Sequence, residues 1–172
     1  MVHMEKRDTQ WTPFKAISKA DDFLDDLMVP AIGKEVTKEY GLDFSNLMNA
    51  ESKQLEEFLT MFGGYKAYLE SQLAHIDANK SAIEAAFDEG YATAVYKIAS
   101  TRENEGQKKL TRDEIRGAVF DTYSSLKELR REVIEQDTVY KKVAGLLNAY
   151  KAAYDAVSRI VALRTFGKVG SV

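Results

Sequence analysis

LEEFLTMFGGYKAYLESQLAHIDANKSAIEAAF, residues 55–87, decides the fold. Leu55, Leu59, Phe62, Leu69, Leu73, Ile76, Ile83 and Phe87 recur at spacings of 3, 4 or 7. That period places them on one face of a helix, and the near-heptad repeat predicts a coiled-coil-like seam. Lys66 and Lys80 interrupt the seam where apolar residues are due. Gly63-Gly64 predicts a kink or a break there.

Working outward, the helical pattern starts near Ser45, and Tyr91, Val95 and Ile98 carry it on to about Ser100. Residues 101–110 contain Gly106 and are almost wholly polar, which predicts an exposed basic loop. Thr111-Arg-Asp-Glu114 has the form of a capping box. Ile115, Val119, Tyr123, Leu126, Leu129 and Val133 follow at helical spacing. Asp137 then reads as the cap of a further helix. Its stripe is Val139, Val143, Leu146, Tyr150, Ala153, Val157 and Ile160, and Gly167 is expected to end it. No strand-like alternation or internal repeat occurs. The expected organisation is an irregular extension over residues 1–45, with one short helix near 19–28, and one helical domain over 46–172. That domain divides into a long helical region (46–100), the loop (101–110) and two C-terminal helices (111–167).

The fold class that follows is all-α. A helix of roughly 28 residues is about 42 Å long. So short a chain of such helices is expected to leave apolar stripes for other copies to cover, predicting a homo-oligomer. Val139, Val143, Leu146, Tyr150, Val157 and Ile160 are the candidate oligomerisation residues. A plain antiparallel helical hairpin is the competing arrangement.

Composition narrows the function. The 172 residues are 45% apolar and 30% charged, with no Cys. This excludes a disulfide scaffold, a thiolate metal site and a thiol nucleophile. No apolar run approaches the roughly 18–20 residues of a membrane span. Charges near the N-terminus argue against a secretory signal, so a cytoplasmic location is expected. The histidines are His3 and His75. Gly33-Lys34 and Gly167-Lys168 lack the rest of a phosphate loop. Ser124-Ser-Leu-Lys127 is a weak S-x-x-K string inside an amphipathic pattern. Glu56-Glu57 and Asp113-Glu114 read as solvated faces. Asp21, Asp22, Asp25 and Asp26 lack calcium-loop spacing and read as a solvated helix start. No catalytic residue, metal ligand or cofactor site is expected; binding and assembly are.

Charge is uneven. Residues 1–89 carry 9 Lys/Arg against 17 Asp/Glu, and residues 90–172 carry 15 against 10. A polyanion is expected to meet the second half more readily. Lys97, Arg102, Lys108, Lys109, Arg112 and Arg116 gather at one helix end and its loop, with Tyr91 and Tyr96 just upstream. Cations that track phosphates and rings that stack on bases are what single-stranded nucleic acid requires. Arg164 and Lys168 have a sufficient reason in the dipole of the helix they end.

The order of these elements resembles the UvsY-type recombination mediators of T-even and related phages. Tyr65-Lys-Ala-Tyr68-Leu69 is similar to an early aromatic element of that family. Ile83-Glu-Ala-Ala, followed by Ala92-Thr-Ala-Val-Tyr-Lys97, resembles the helix leading to its Lys-Ala-Arg-Leu DNA-binding motif. Leu110-Thr-Arg-Asp113, Asp137-Thr138 and Ala149-Tyr-Lys-Ala-Ala-Tyr-Asp155-Ala-Val-Ser158-Arg159 resemble later landmarks. The resemblance covers about residues 46–166. It implies a non-enzymatic accessory of homologous recombination, a ring-like homo-oligomer held through C-terminal helices. Such a protein binds single-stranded DNA, loosens the single-strand-binding protein and helps load the phage recombinase, in the host cytoplasm if phage-encoded. Lys97 matches the motif lysine. Ala99 stands where the motif has arginine, and Arg102 is the candidate substitute. Lys97, Arg102, Lys108, Lys109 and Tyr96 are thus the candidate DNA-binding residues. The rival expectation is a helical scaffolding or virion component that ignores DNA.

Overall fold

The computed structural model describes residues 11–30, 32 and 44–169. His3 and Gly33-Lys34 lie outside them. Helix α1 spans Pro13–Asp26, a short 3-10 helix spans Phe44–Asn49, and α2 spans Ser52–Asn104. Helix α3 spans Arg112–Thr122 and α4 spans Ser124–Val169. No strand occurs among the described residues, so the chain is all-α. No described helix is long and apolar enough to cross a membrane. Two compact units form, one from Met1–Phe23 with Ile83–Val139, the other from Leu24–Ala82 with Tyr140–Val172.

In the second unit the heptad reading of α2 becomes the core. Leu55, Phe62, Leu69 and Ile76, seven apart, are all buried. Facing them from α4 are Val143, Leu147, Tyr150, Ala153 and Val157, buried as well. The pairing is antiparallel: the Lys66 ammonium lies over the Tyr154 ring and the Lys80 ammonium over Tyr140, 5.3 and 5.2 Å from the centroids. The two lysines that break the apolar seam therefore each cap an aromatic face on the opposite helix. Lys151 adds an ion pair to Glu70 at 3.1 Å.

Several expectations are corrected here. The candidate oligomerisation residues Val139, Val143, Tyr150, Val157 and Ile160 are at most 8% exposed within the single chain. The premise that the chain cannot cover its own stripe fails because two very long helices pair with each other. Leu146 is only half-buried, and its neighbour Leu147 occupies the seam. Helix α2 runs through Gly63-Gly64 without a break. Flanking residues pin both sides, and a Cβ at Gly63 would meet the Tyr154 ring at an ordinary 3.5 Å. Asp137 caps nothing, lying in mid-helix, where the Thr138 hydroxyl donates to the Ile134 carbonyl. The interruption falls instead at Tyr123, before the Ser124-Ser125 pair that opens α4. Gly167 does not end α4, which continues to Val169.

In the first unit, Ala94, Val119 and Leu126 form a buried cluster, with Tyr91, Ile98, Ile115 and Phe120 packed around it. Gly90 has a definite reason: a Cβ there would lie 2.7 Å from Leu126 Cδ2. Helix α1 is longer and earlier than the sequence suggested. Pro13 suits a first helical position, since it has no N–H to leave unsatisfied. The four Asp residues fall in its second half, exposed, rather than at its start. The described residues contain no group of three or more His, Cys, Asp or Glu placed to hold a metal ion.

Glu135 on α4 ties down the N-terminal segment. It accepts hydrogen bonds from Trp11 Nε1 at 2.8 Å and Lys19 Nζ at 2.7 Å. Burial pushes the Glu135 carboxyl up, but those hydrogen bonds, with the charges of Lys19 and Arg131, outweigh it and hold it below the ordinary carboxylate value. Its folded pKa is thus lower than its unfolded one. The stabilisation is complete above the unfolded value and is lost as pH falls through the folded one. Trp11 is the sole tryptophan. Its emission should shift to the red over that acid window, reversibly, whereas Glu135→Gln should show no such titration.

Candidate nucleic-acid interface

The candidate residues sit where α2 ends. Gln107 N–H donates to the Arg102 carbonyl at 2.9 Å, and Gly106 N–H donates to that of Glu103 at 3.1 Å. With Gly106 at φ +67°, this is a Schellman ending. Helix α2 thus continues to Asn104, four residues into the expected loop. Helix α3 opens on the capping box foreseen from sequence. Thr111 N–H donates to Glu114 Oε2 at 2.7 Å, and Glu114 N–H donates to the Thr111 hydroxyl at 3.4 Å. The hydrogen bonds from the Thr111 backbone and hydroxyl lower the Glu114 pKa, and Arg102 adds its charge to the same effect. The loop is therefore fixed at both ends by local chemistry.

Lys108 and Lys109 between those ends, and Lys97 upstream on α2, are exposed. Tyr96 is 73% exposed, so it presents its ring to solvent, whereas Tyr91 packs on the core cluster. Arg102 is placed differently. It is half-buried, its Nη2 donates to the Lys108 carbonyl at 3.3 Å, and its Nε is buried without a partner. Arg102 holds the loop, while the lysines are free of it.

The basic excess of the second half also resolves spatially. Residues 83–139 carry 9 Lys/Arg against 12 Asp/Glu, and residues 140–172 carry 6 against 1. The excess thus lies on the distal part of α4, within the second unit. There Lys151 is paired with Glu70, and Arg164 donates to the Met48 carbonyl at 2.6 Å. Lys151 and Arg164 are thus engaged by the chain, whereas Arg159 on the same stretch is exposed.

One constellation went unseen in the sequence. Phe87, Tyr91 and Phe120 stack in the first unit, with centroids 5.6 to 6.5 Å apart. Arg116 caps Phe120 and Arg130 caps Phe87. Arg112 joins them around a cleft of about 410 Å³ that also holds Asp88 and Asp113. The Arg116–Phe120 spacing of four was readable on a helix. Arg130 meets Phe87 only through the helix pairing, so no local signal marks it. His75 is exposed on α2, and Glu56, Glu57, Asp113 and Glu114 are exposed as expected. No family model, curated protein or solved structure matches this chain.

Proposed function

We propose that this chain is a single-stranded-DNA-binding recombination mediator that helps load a recombinase onto DNA covered by single-strand-binding protein. The observation that carries the reading is Tyr96, a large ring left in solvent beside exposed Lys97, at the helix end where Lys108 and Lys109 emerge. A stacking platform flanked by phosphate-tracking cations suits an unpaired strand of any sequence. The resemblance to UvsY-type mediators supplies the biological role, and Arg102 serves by holding the loop. Each protomer offers few cations, so the grip depends on several copies engaging one strand. Self-association then uses surface other than the internal stripe; among the described residues of α4, Leu163 and Phe166 are large apolar side chains left exposed.

A second reading, a helical scaffolding component, is favoured by the acidic balance of residues 83–139. Fluorescent oligonucleotide titrations across a salt series separate the two. Wild type should bind with steep salt dependence. Lys97→Ala with Lys108→Ala and Lys109→Ala should flatten the log–log slope by roughly 2 per engaged protomer, at about 0.7 per phosphate. Tyr96→Ala should weaken binding by about 1–3 kcal/mol per stacked base. Identical weak binding by all variants supports the scaffold.

A further inference from the structure

The cleft that holds Phe87, Phe120 and three arginines is a second place where this unit offers cations. Its two phenylalanine rings are half-buried, and Arg112, Arg116 and Arg130 are exposed. The Arg116 guanidinium carbon lies 5.9 Å from the Phe120 centroid, and that of Arg130 lies 5.6 Å from the Phe87 centroid. The two rings are themselves stacked, 6.5 Å apart. A guanidinium that covers a ring uses its face and keeps its in-plane N–H fork for an acceptor. Among the described residues, no hydrogen bond or ion pair joins any of the three guanidiniums to the protein. Covering the rings therefore accounts for the faces of Arg116 and Arg130, but not for their N–H edges, and not for Arg112 at all.

The charge balance says what those edges would take. Three arginines against the carboxylates of Asp88 and Asp113 leave one positive charge in excess. A phosphodiester carries one negative charge, whereas a phosphomonoester carries about 1.5 to 2 at neutral pH. The cleft thus matches a phosphate inside a strand better than one at its end. Arg112 follows Lys109 by three residues, a span of at most about 11 Å. A strand held on the loop lysines is within reach of it.

We infer that this cleft clamps one internucleotide phosphate of the bound strand. Arg112 and Arg116 from α3 and Arg130 from α4 donate to its non-bridging oxygens, in the fork geometry that guanidinium and phosphate share. Phe87 and Phe120 are positioning residues that hold two of the forks in place. The inference rests on the strand-binding reading and gives it a second holding point, since none of Tyr96, Lys97, Arg102, Lys108 and Lys109 lines the cleft.

The probe is a fluorescent oligothymidylate without terminal phosphates, titrated against the full chain across a salt series. Arg112→Gln with Arg116→Gln and Arg130→Gln should weaken binding at least about tenfold, as loss of charge-assisted hydrogen bonds implies. The log–log salt slope should fall by only about 0.7 per engaged protomer, because the three cations share one phosphate. Arg116→Lys with Arg130→Lys keeps both charges and loses the forks. It should weaken binding about tenfold with little change in slope, and it decides the matter should the triple variant lose its circular dichroism. Arg159→Gln, exposed on α4 outside the cleft, should bind like wild type. A 5′-phosphate on the probe should not tighten binding. The clamp is overturned by unchanged affinity in the glutamine or the lysine variant. It is also overturned by a slope change near 2, which would give each arginine a phosphate of its own, or by tenfold tightening with a 5′-phosphate. Loss of binding in the loop lysine variant but not in the glutamine variant leaves the strand-binding reading standing and removes the clamp. A wild type that binds no strand removes both.

Discussion

Val143→Asp and Val157→Asp should each abolish folding of the α2–α4 pairing at every protein concentration. Both side chains are fully buried inside one chain. Placing a carboxylate there removes apolar burial and strands a charge without a partner, at several kcal/mol. A typical domain has only about 5–15 kcal/mol in total. Circular dichroism over a hundredfold range of concentration checks this, with Leu163→Asp as a control that should stay folded, because Leu163 is 63% exposed. If Val143→Asp instead yields a folded, smaller particle by light scattering, the stripe lies between subunits and the internal pairing described above is wrong.

Tyr150→Ala should be the most damaging truncation of a single side chain. The ring is 1% exposed, meets Phe62 edge-on at 6.0 Å and Tyr65 at 5.3 Å. Its hydroxyl donates to the Pro30 carbonyl at 2.6 Å, fastening the segment after α1 to α4. Truncating a buried aromatic costs about 3–5 kcal/mol. Tyr150→Phe keeps the packing and leaves one carbonyl unsatisfied, so about 1 kcal/mol should be lost. Urea denaturation of the three proteins separates these contributions, provided the slopes agree. Equal losses in both variants would show that the hydroxyl, and not the ring, dominates.

Much of the fold was legible because it is written in local periodicity. Leu55, Phe62, Leu69 and Ile76 announce the buried face of α2, Thr111 and Glu114 announce the start of α3, and Gly106 announces the end of α2. What could not be read depends on the partner helix. The sequence shows that Lys66 and Lys80 interrupt a seam, while only the pairing shows Tyr154 and Tyr140 beneath them. Asp137-Thr138 looks like a cap, yet half-burial on a continuous helix overrides its preference for helix starts. The candidate site was legible in part for the same reason. Exposed lysines follow from a polar loop. The inward placement of Arg102 follows from the geometry of a turn that composition does not encode.

Lys66 and Lys80 are fourteen residues apart, and so are Tyr140 and Tyr154. A seam of interchangeable leucines can slide by one heptad with little loss of contact. Here such a slide would bring the Lys66 ammonium over the aliphatic Leu147 and leave the Tyr154 face uncapped. The two rungs thus act as a ruler along the hairpin, admitting one alignment of its arms and penalising the shifted ones that leucine alone would tolerate.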